Sequence, residues 1–222
     1  GFLIFVFGYF LATREQTTFN QPSQLILLAL MTIATASIAS YIKTHELDIY
    51  LVPTPLAAML VTILLTQQIG LVFSFVLAFF VGNLFSDFYV AITCALTSAV
   101  AVFAVRRVRH RNQFYRSMIF LPISYTLLIA AADLLRFVPP EQIYAHVLPG
   151  IFIGVAAPIL TIGLLPIFES LFHLTTDITL LELSDLNRPL LRELAIRAPG
   201  TYTHSLIMAN LSESAAEAIS GN

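Results

Sequence analysis

Apolar residues run through most of this chain in long blocks separated by short polar stretches, and then give way to a segment of mixed polarity. Seven blocks can be read: Gly1–Ala12, Leu25–Ile42, Leu51–Thr66, Leu71–Ser86, Phe88–Val105, Met118–Leu135 and Val147–Phe168. Blocks this poor in charge predict helices in a bilayer, because a helix satisfies its own backbone donors and acceptors where no water is available. Several fall short of the ~20 residues of an average span, and only Asp87 marks the corner between the fourth and fifth. At ~1.5 Å per residue the opening GFLIFVFGYFLA reaches ~18 Å against a ~30 Å hydrocarbon core, so the first span is expected to be truncated. It carries no charged leader and does not read as a signal peptide. The segment Ser184–Asn222 is the one long piece patterned like a water-soluble fold, and its final helix is expected to need further chain to pack against.

Composition agrees with the pattern. Hydrophobic residues make up 58% of the chain, charged residues 11%, and the mean hydropathy is +0.85, which places it in the membrane class. The net charge of -2 and the shortness of its basic stretch exclude a nucleic-acid-binding face. The single cysteine, Cys94, lies inside an apolar block; it can form no intrachain disulfide and reads as a small packing residue.

Charge also predicts orientation. Arg106 to Arg116, RRVRHRNQFYR, puts five arginines between the fifth and sixth blocks, and short loops rich in Arg stay in the cytoplasm. Counting outward, Thr13–Gln24 and Thr66–Gly70 are expected inside, and Lys43–Asp48, Ser86–Asp87 and Arg136–His146 outside. The layout predicted is a multi-pass plasma-membrane protein with an external N-terminus and a cytoplasmic segment from Glu169 onward.

Polar residues within the spans have local explanations. Asp133 is expected to pair with Arg136 at i+3, and Asn83 and Asp87 to cap backbone groups at a helix corner. A proton or ion pathway would show several acidic groups at mid-membrane depth, and these blocks do not. In the seventh block Gly150 and Gly154 have GxxxG spacing, and Pro158 and Pro166 each remove a backbone donor. Two readings stay open: a hinged, closely packed signalling helix, or the general abundance of Gly and Pro in membrane helices.

Beyond the blocks, His173 stands alone at the membrane exit and reads as an interfacial side chain. Ser184, Asp185 and Asn187 are helix-starting residues and Pro189 suits a first turn, so a short amphipathic connector is expected through Leu190, Leu191, Leu194 and Ile196. Pro199-Gly200 is expected to stop it, with Thr201 as N-cap of a helix running to about Ile219. His204 then falls in the first turn of that helix. On its residue type alone it is either a metal ligand or a hydrogen-bonded or solvated histidine, since a metal site needs convergent ligands and no second histidine follows.

The block DLNRPLLRELAIRAPGTYTHSLIMANLSESAAEAI resembles the membrane exit and first HD-domain helix of the seven-transmembrane receptors with an intracellular HD hydrolase, best known as bacterial cyclic di-AMP phosphodiesterases. GLLPIFESLFHLTTD and RRVRHRNQFYRS fit as well, so the resemblance covers nearly the whole chain, resting in the spans mainly on layout. It implies an all-α protein: a transmembrane helix bundle over residues 1–168, a connector over 169–198, and the start of a cytoplasmic HD domain over 199–222. It further implies an external domain ahead of the bundle, able to take an extracellular ligand, and metal-assisted hydrolysis of a cyclic dinucleotide using two divalent transition metals, iron or manganese. The family's first histidine ligand corresponds to His204 in PGTYTHSL, while Thr203 stands where relatives often carry His or Gln. The other ligands have no counterpart here, so this chain alone is expected to be inactive. A homo-oligomer fits the same layout. The competing expectations are a transporter or channel subunit, marked by further spans downstream, and a non-catalytic receptor or scaffold, marked by an HD fold with its ligands replaced.

Overall fold

The computed structural model describes residues 2–106, 114–183, 185 and 187–219. Arg107, Arg109 and Arg111 of the basic loop, and the helix-starting Ser184, lie outside the described residues. The elements are helical throughout: α1 (Phe2–Arg14), α2 (Gln16–Phe19), α3 (Pro22–Thr44), a 3-10 turn (Ile49–Leu51), α4 (Thr54–Leu64), α5 (Gln67–Phe85), α6 (Phe88–Val105), α7 (Phe114–Leu135), α8 (Pro140–Phe172), α9 (Asp177–Leu183), α10 (Pro189–Arg197) and α11 (Pro199–Ala218). The chain divides into two compact units, residues 1–178 and 179–222.

In the first unit α3, α5, α6, α7 and α8 are long and apolar enough to cross a membrane, and α1 and the Ile49–Leu64 stretch are shorter. Large apolar side chains such as Ile33, Leu127 and Phe152 face outward from it, a surface that lipid covers in a multi-pass membrane protein. The short α4 has another role. Its Thr54, Pro55, Ala57, Ala58, Met59, Leu60, Val61, Thr62 and Leu64 are all buried, and it packs on α5, α6 and α8. A helix apolar on every side is stable only when surrounded, so α4 is the core of the unit rather than a lipid-facing span. The break before it, at Val52-Pro53, is tolerated at depth because protein encloses it; Val52 is buried.

The corner at Asp87 is a real separation of two helices. Ser86 takes a left-handed conformation (φ 56°) and donates its N–H to the Asn83 carbonyl, while Asp87 Oδ1 accepts from the backbone of Tyr89 at 2.9 Å and Val90 at 3.2 Å. Asp87 therefore caps as expected, whereas Asn83 contributes its backbone oxygen. Two boundaries differ from expectation. Thr66 Oγ1 accepts from Ile69 N at 3.2 Å and starts α5 at Gln67, so most of the expected Thr66–Gly70 loop is helix. Pro140 similarly starts α8 in the middle of the expected Arg136–His146 loop, its fixed φ suiting a first helical turn.

From Pro140, α8 runs unbroken past Pro149, Pro158 and Pro166. Its 33 residues span about 50 Å at 1.5 Å each, well beyond the hydrocarbon thickness. It packs chiefly on α7, with Gly150 and Gly154 facing that neighbour. A Cβ at Gly154 would lie 2.7 Å from the backbone N of Pro122, so the GxxxG spacing serves close helix contact. Cys94 is buried among Ala39, Ala78, Val81 and Val90, the packing role expected of it.

The second unit contains α10 and α11, which pack on each other. Asp185 Oδ1 accepts from Asn187 N at 2.9 Å, a local turn ahead of α10, and Pro189 occupies the first turn as expected. Pro199-Gly200 does not stop a helix here. Ala198 makes the break (φ -139°, ψ 65°), and Pro199 opens α11, so Thr201 lies inside the helix rather than at its N-cap. The reason is again that proline's missing donor and fixed φ cost nothing in a first helical turn.

Candidate functional site

His204, the one metal-ligand candidate from the sequence, sits on α11 with its side chain exposed. Because α11 starts at Pro199, it lies in the second turn rather than the first. Among the described residues no group of three His, Cys, Asp or Glu side chains converges closely enough to hold a metal ion. The donors present therefore do not by themselves fit a metal pair. Around His204, Ile207, Met208 and Leu211 are also exposed, leaving α11 an apolar surface within its own unit.

The dense polar chemistry is in the first unit, where the ends of α3, α5 and α7 meet the starts of α4, α6 and α8. Asp133 is wholly buried, and its Oδ2 lies 2.8 Å from Nδ1 of His146 on α8. Arg136, the expected partner of Asp133, instead pairs with Asp87 at the start of α6 and lays its guanidinium 4.5 Å over the Tyr89 ring. The i+3 expectation fails because α7 ends at Leu135 and the chain reverses at Phe137 (φ 56°), which directs Arg136 to another helix. His146 was missed for a matching reason: its partner is 13 residues away and is reached only because α8 begins before it.

Asp48, Tyr50 and Lys43 lie at neighbouring helix ends. Asp48 Oδ1 accepts from Tyr50 N at 2.8 Å and caps the 3-10 turn. Burial pushes the Asp48 carboxyl above its usual range, against the opposing pull of the Tyr50 amide and His146. The Tyr50 ring lies 6.2 Å from that of His146 and is buried, yet its hydroxyl has no partner; the Oδ1 of Asp133 and the Nε of Arg136 lack one too. Lys43 Nζ donates to the Leu84 carbonyl at 2.6 Å and ties α3 to α5. A cavity of about 540 Å³ opens among Glu46, Asp48, Tyr50, Arg136 and His146.

A family model described as "7TM receptor with intracellular HD hydrolase" matches residues 1–176. The cyclic-di-AMP phosphodiesterase PgpH of Bacillus subtilis (strain 168) is 28% identical over 241 aligned positions, covering 99% of this chain and 34% of that protein. The protein of the same name from Listeria monocytogenes serotype 1/2a is 28% identical, covering 100% of this chain and 33% of its own length. An uncharacterised protein of Synechocystis is 38% identical over 98 positions, 44% of this chain. The chain thus spans about a third of the length of the two phosphodiesterases. No solved structure matches it.

Proposed function

The chain belongs to the family of seven-transmembrane receptors with an intracellular HD hydrolase, and we propose that it is the membrane part of a metal-dependent phosphodiesterase whose full-length form hydrolyses a cyclic dinucleotide, cyclic di-AMP. The observation that carries this reading is the similarity to two cyclic-di-AMP phosphodiesterases along essentially the entire chain, through the bundle and on to α11.

In this reading residues 1–168 form the bundle, 169–198 the connector and 199–222 the first part of the HD domain. His204 is one ligand of a pair of divalent transition metals, iron or manganese, and the remaining ligands come from the greater length of the relatives. Metals in such a site supply charge neutralisation of the phosphodiester and activation of water. What this chain contributes is a membrane bundle and a single imidazole, carried on α11 by an exposed side chain. With one donor, the 222-residue chain alone binds no metal pair and hydrolyses nothing. In this reading the arginines from Arg106 to Arg116 keep the loop between α6 and α7 in the cytoplasm, and the segment from Glu169 onward is cytoplasmic too.

The test is hydrolysis of cyclic di-AMP and cyclic di-GMP by the intact protein and by His204→Ala. Cleavage of cyclic di-AMP by wild type and its loss in the variant are expected. Full activity in the variant would remove His204 from the metal site, and an intact wild type inert on both substrates would overturn the hydrolase reading.

A further inference from the structure

We propose that the cavity among Glu46, Asp48, Tyr50, Arg136 and His146 binds a small organic cation through a primary ammonium group. Binding sites of this class are concave, with a few convergent polar groups, and the cavity of about 540 Å³ has that form. Its walls come from the chain between α3 and α4 (Glu46 to Tyr50), Val90 of α6, Arg136 just after α7, and Ala145 and His146 of α8.

Charge selects the ligand class. Glu46 and Asp48 are negative, and the positive charge of Arg136 is already met by Asp87 and the Tyr89 ring. Asp133 adds a further buried carboxylate behind His146. An anion would face the Glu46 and Asp48 carboxylates and a guanidinium already paired with Asp87, of which the Nε is left without a partner, and a metal ion would find no convergent set of donors among the described residues. Independently of that charge, Tyr50 lines the cavity at 4% exposure with a hydroxyl that has no partner. Leaving a buried polar group unpaired is costly, and native proteins generally supply it with a partner. An ammonium carries three N–H donors, enough for the Asp48 carboxylate and the Tyr50 oxygen together, and the Tyr50 ring adds an aromatic face.

An ammonium ligand has two sources, a free amine or an ethanolamine lipid headgroup. Both are tested on the intact protein in phosphatidylcholine nanodiscs and amine-free buffer, by calorimetric titration with n-butylammonium, tetramethylammonium and inorganic phosphate. Butylammonium is expected to bind, with tetramethylammonium at least tenfold weaker because it has no N–H, and phosphate not at all. Asp48→Asn keeps an N-capping oxygen and Tyr50→Phe keeps the ring; each is expected to weaken butylammonium at least tenfold without lowering the melting temperature of the unliganded protein. Loss of butylammonium binding when phosphatidylethanolamine is added identifies the headgroup as the source; unchanged binding identifies a free amine. No butylammonium binding to wild type, equal affinity in both variants, or preferential phosphate binding would each overturn the proposal. None of these readouts passes through hydrolysis, so the site and the phosphodiesterase reading stand or fall separately.

Discussion

The Oδ2 of Asp133 and the Nδ1 of His146 are 2.8 Å apart, joining the end of α7 to the start of α8 across a reversal of the chain. Only the imidazole is partly open to solvent; the carboxylate has no access to water. Removing one member of a buried pair strands the other, so Asp133 is the more demanding partner. His146→Ala is expected to cost about 2 kcal/mol. A double-mutant cycle with Asp133→Asn should return a coupling of roughly 1 kcal/mol, larger than the coupling between Asp133→Asn and Arg136→Ala. Melting of the single and double variants checks this, and coupling to Arg136 instead of His146 would contradict the pairing.

Gly154 lies so close to Pro122 that a side chain must displace backbone rather than a flexible tip. Gly154→Val is therefore expected to destabilise the bundle by about 3 kcal/mol. Gly163, on the same helix, has nothing within 4 Å of an added Cβ. Gly163→Ala should be neutral or stabilising by up to about 1 kcal/mol. Thermal denaturation of both variants separates packing from a general intolerance of α8 to substitution.

Asp48 provides a pH signature. Its folded-state pKa is raised by burial, so folding favours the protonated carboxyl and the stability this adds is lost as pH rises through the folded value. Asp48→Asn preserves the cap and removes the titration. The variant is expected to flatten the melting-temperature profile on the alkaline side of the ordinary carboxylate range; a profile identical to wild type would show that Asp48 does not titrate differently in the fold.

The membrane orientation has its own readout. Cys94 is buried and should stay unlabelled by an impermeant maleimide in intact cells. On that silent background, Glu46→Cys is expected to label from outside and Arg116→Cys only after permeabilisation. The reverse pattern would invert the assignment of α11 to the cytoplasm.

His204 is exposed on α11 and is not part of the packing in its unit. His204→Ala should leave the melting temperature of the intact protein within about 0.5 kcal/mol equivalent of wild type, as surface substitutions usually do. Cyclic di-AMP hydrolysis should nevertheless fall on the order of 100-fold or more, exceeding the loss typical of residues that only support a metal ligand. A parallel fall in stability would point to a structural role.

Local composition governs one part of this protein, and that part is legible in the chain. Runs of apolar residues longer than a turn or two predicted each of α1, α3, α5, α6, α7 and α8, because a bilayer requires every backbone group to be satisfied within the segment. Pro189 was likewise legible as a helix start, and Asp87 as a cap, since both act within a few residues. The block around His204 carried the family, through residue identities rather than geometry. Tertiary structure decided everything that depends on which helix ends meet. The 11 residues of α4 read as a short span but became the enclosed core, because their neighbours came from α5, α6 and α8. Asp133 lost its expected partner to Asp87 and gained His146, and the polar cavity with its unpartnered Tyr50 hydroxyl formed from segments that share no local pattern. Side-chain pairing across a bundle depends on helix starts and reversals accurate to one residue, and hydropathy locates those only to within a turn.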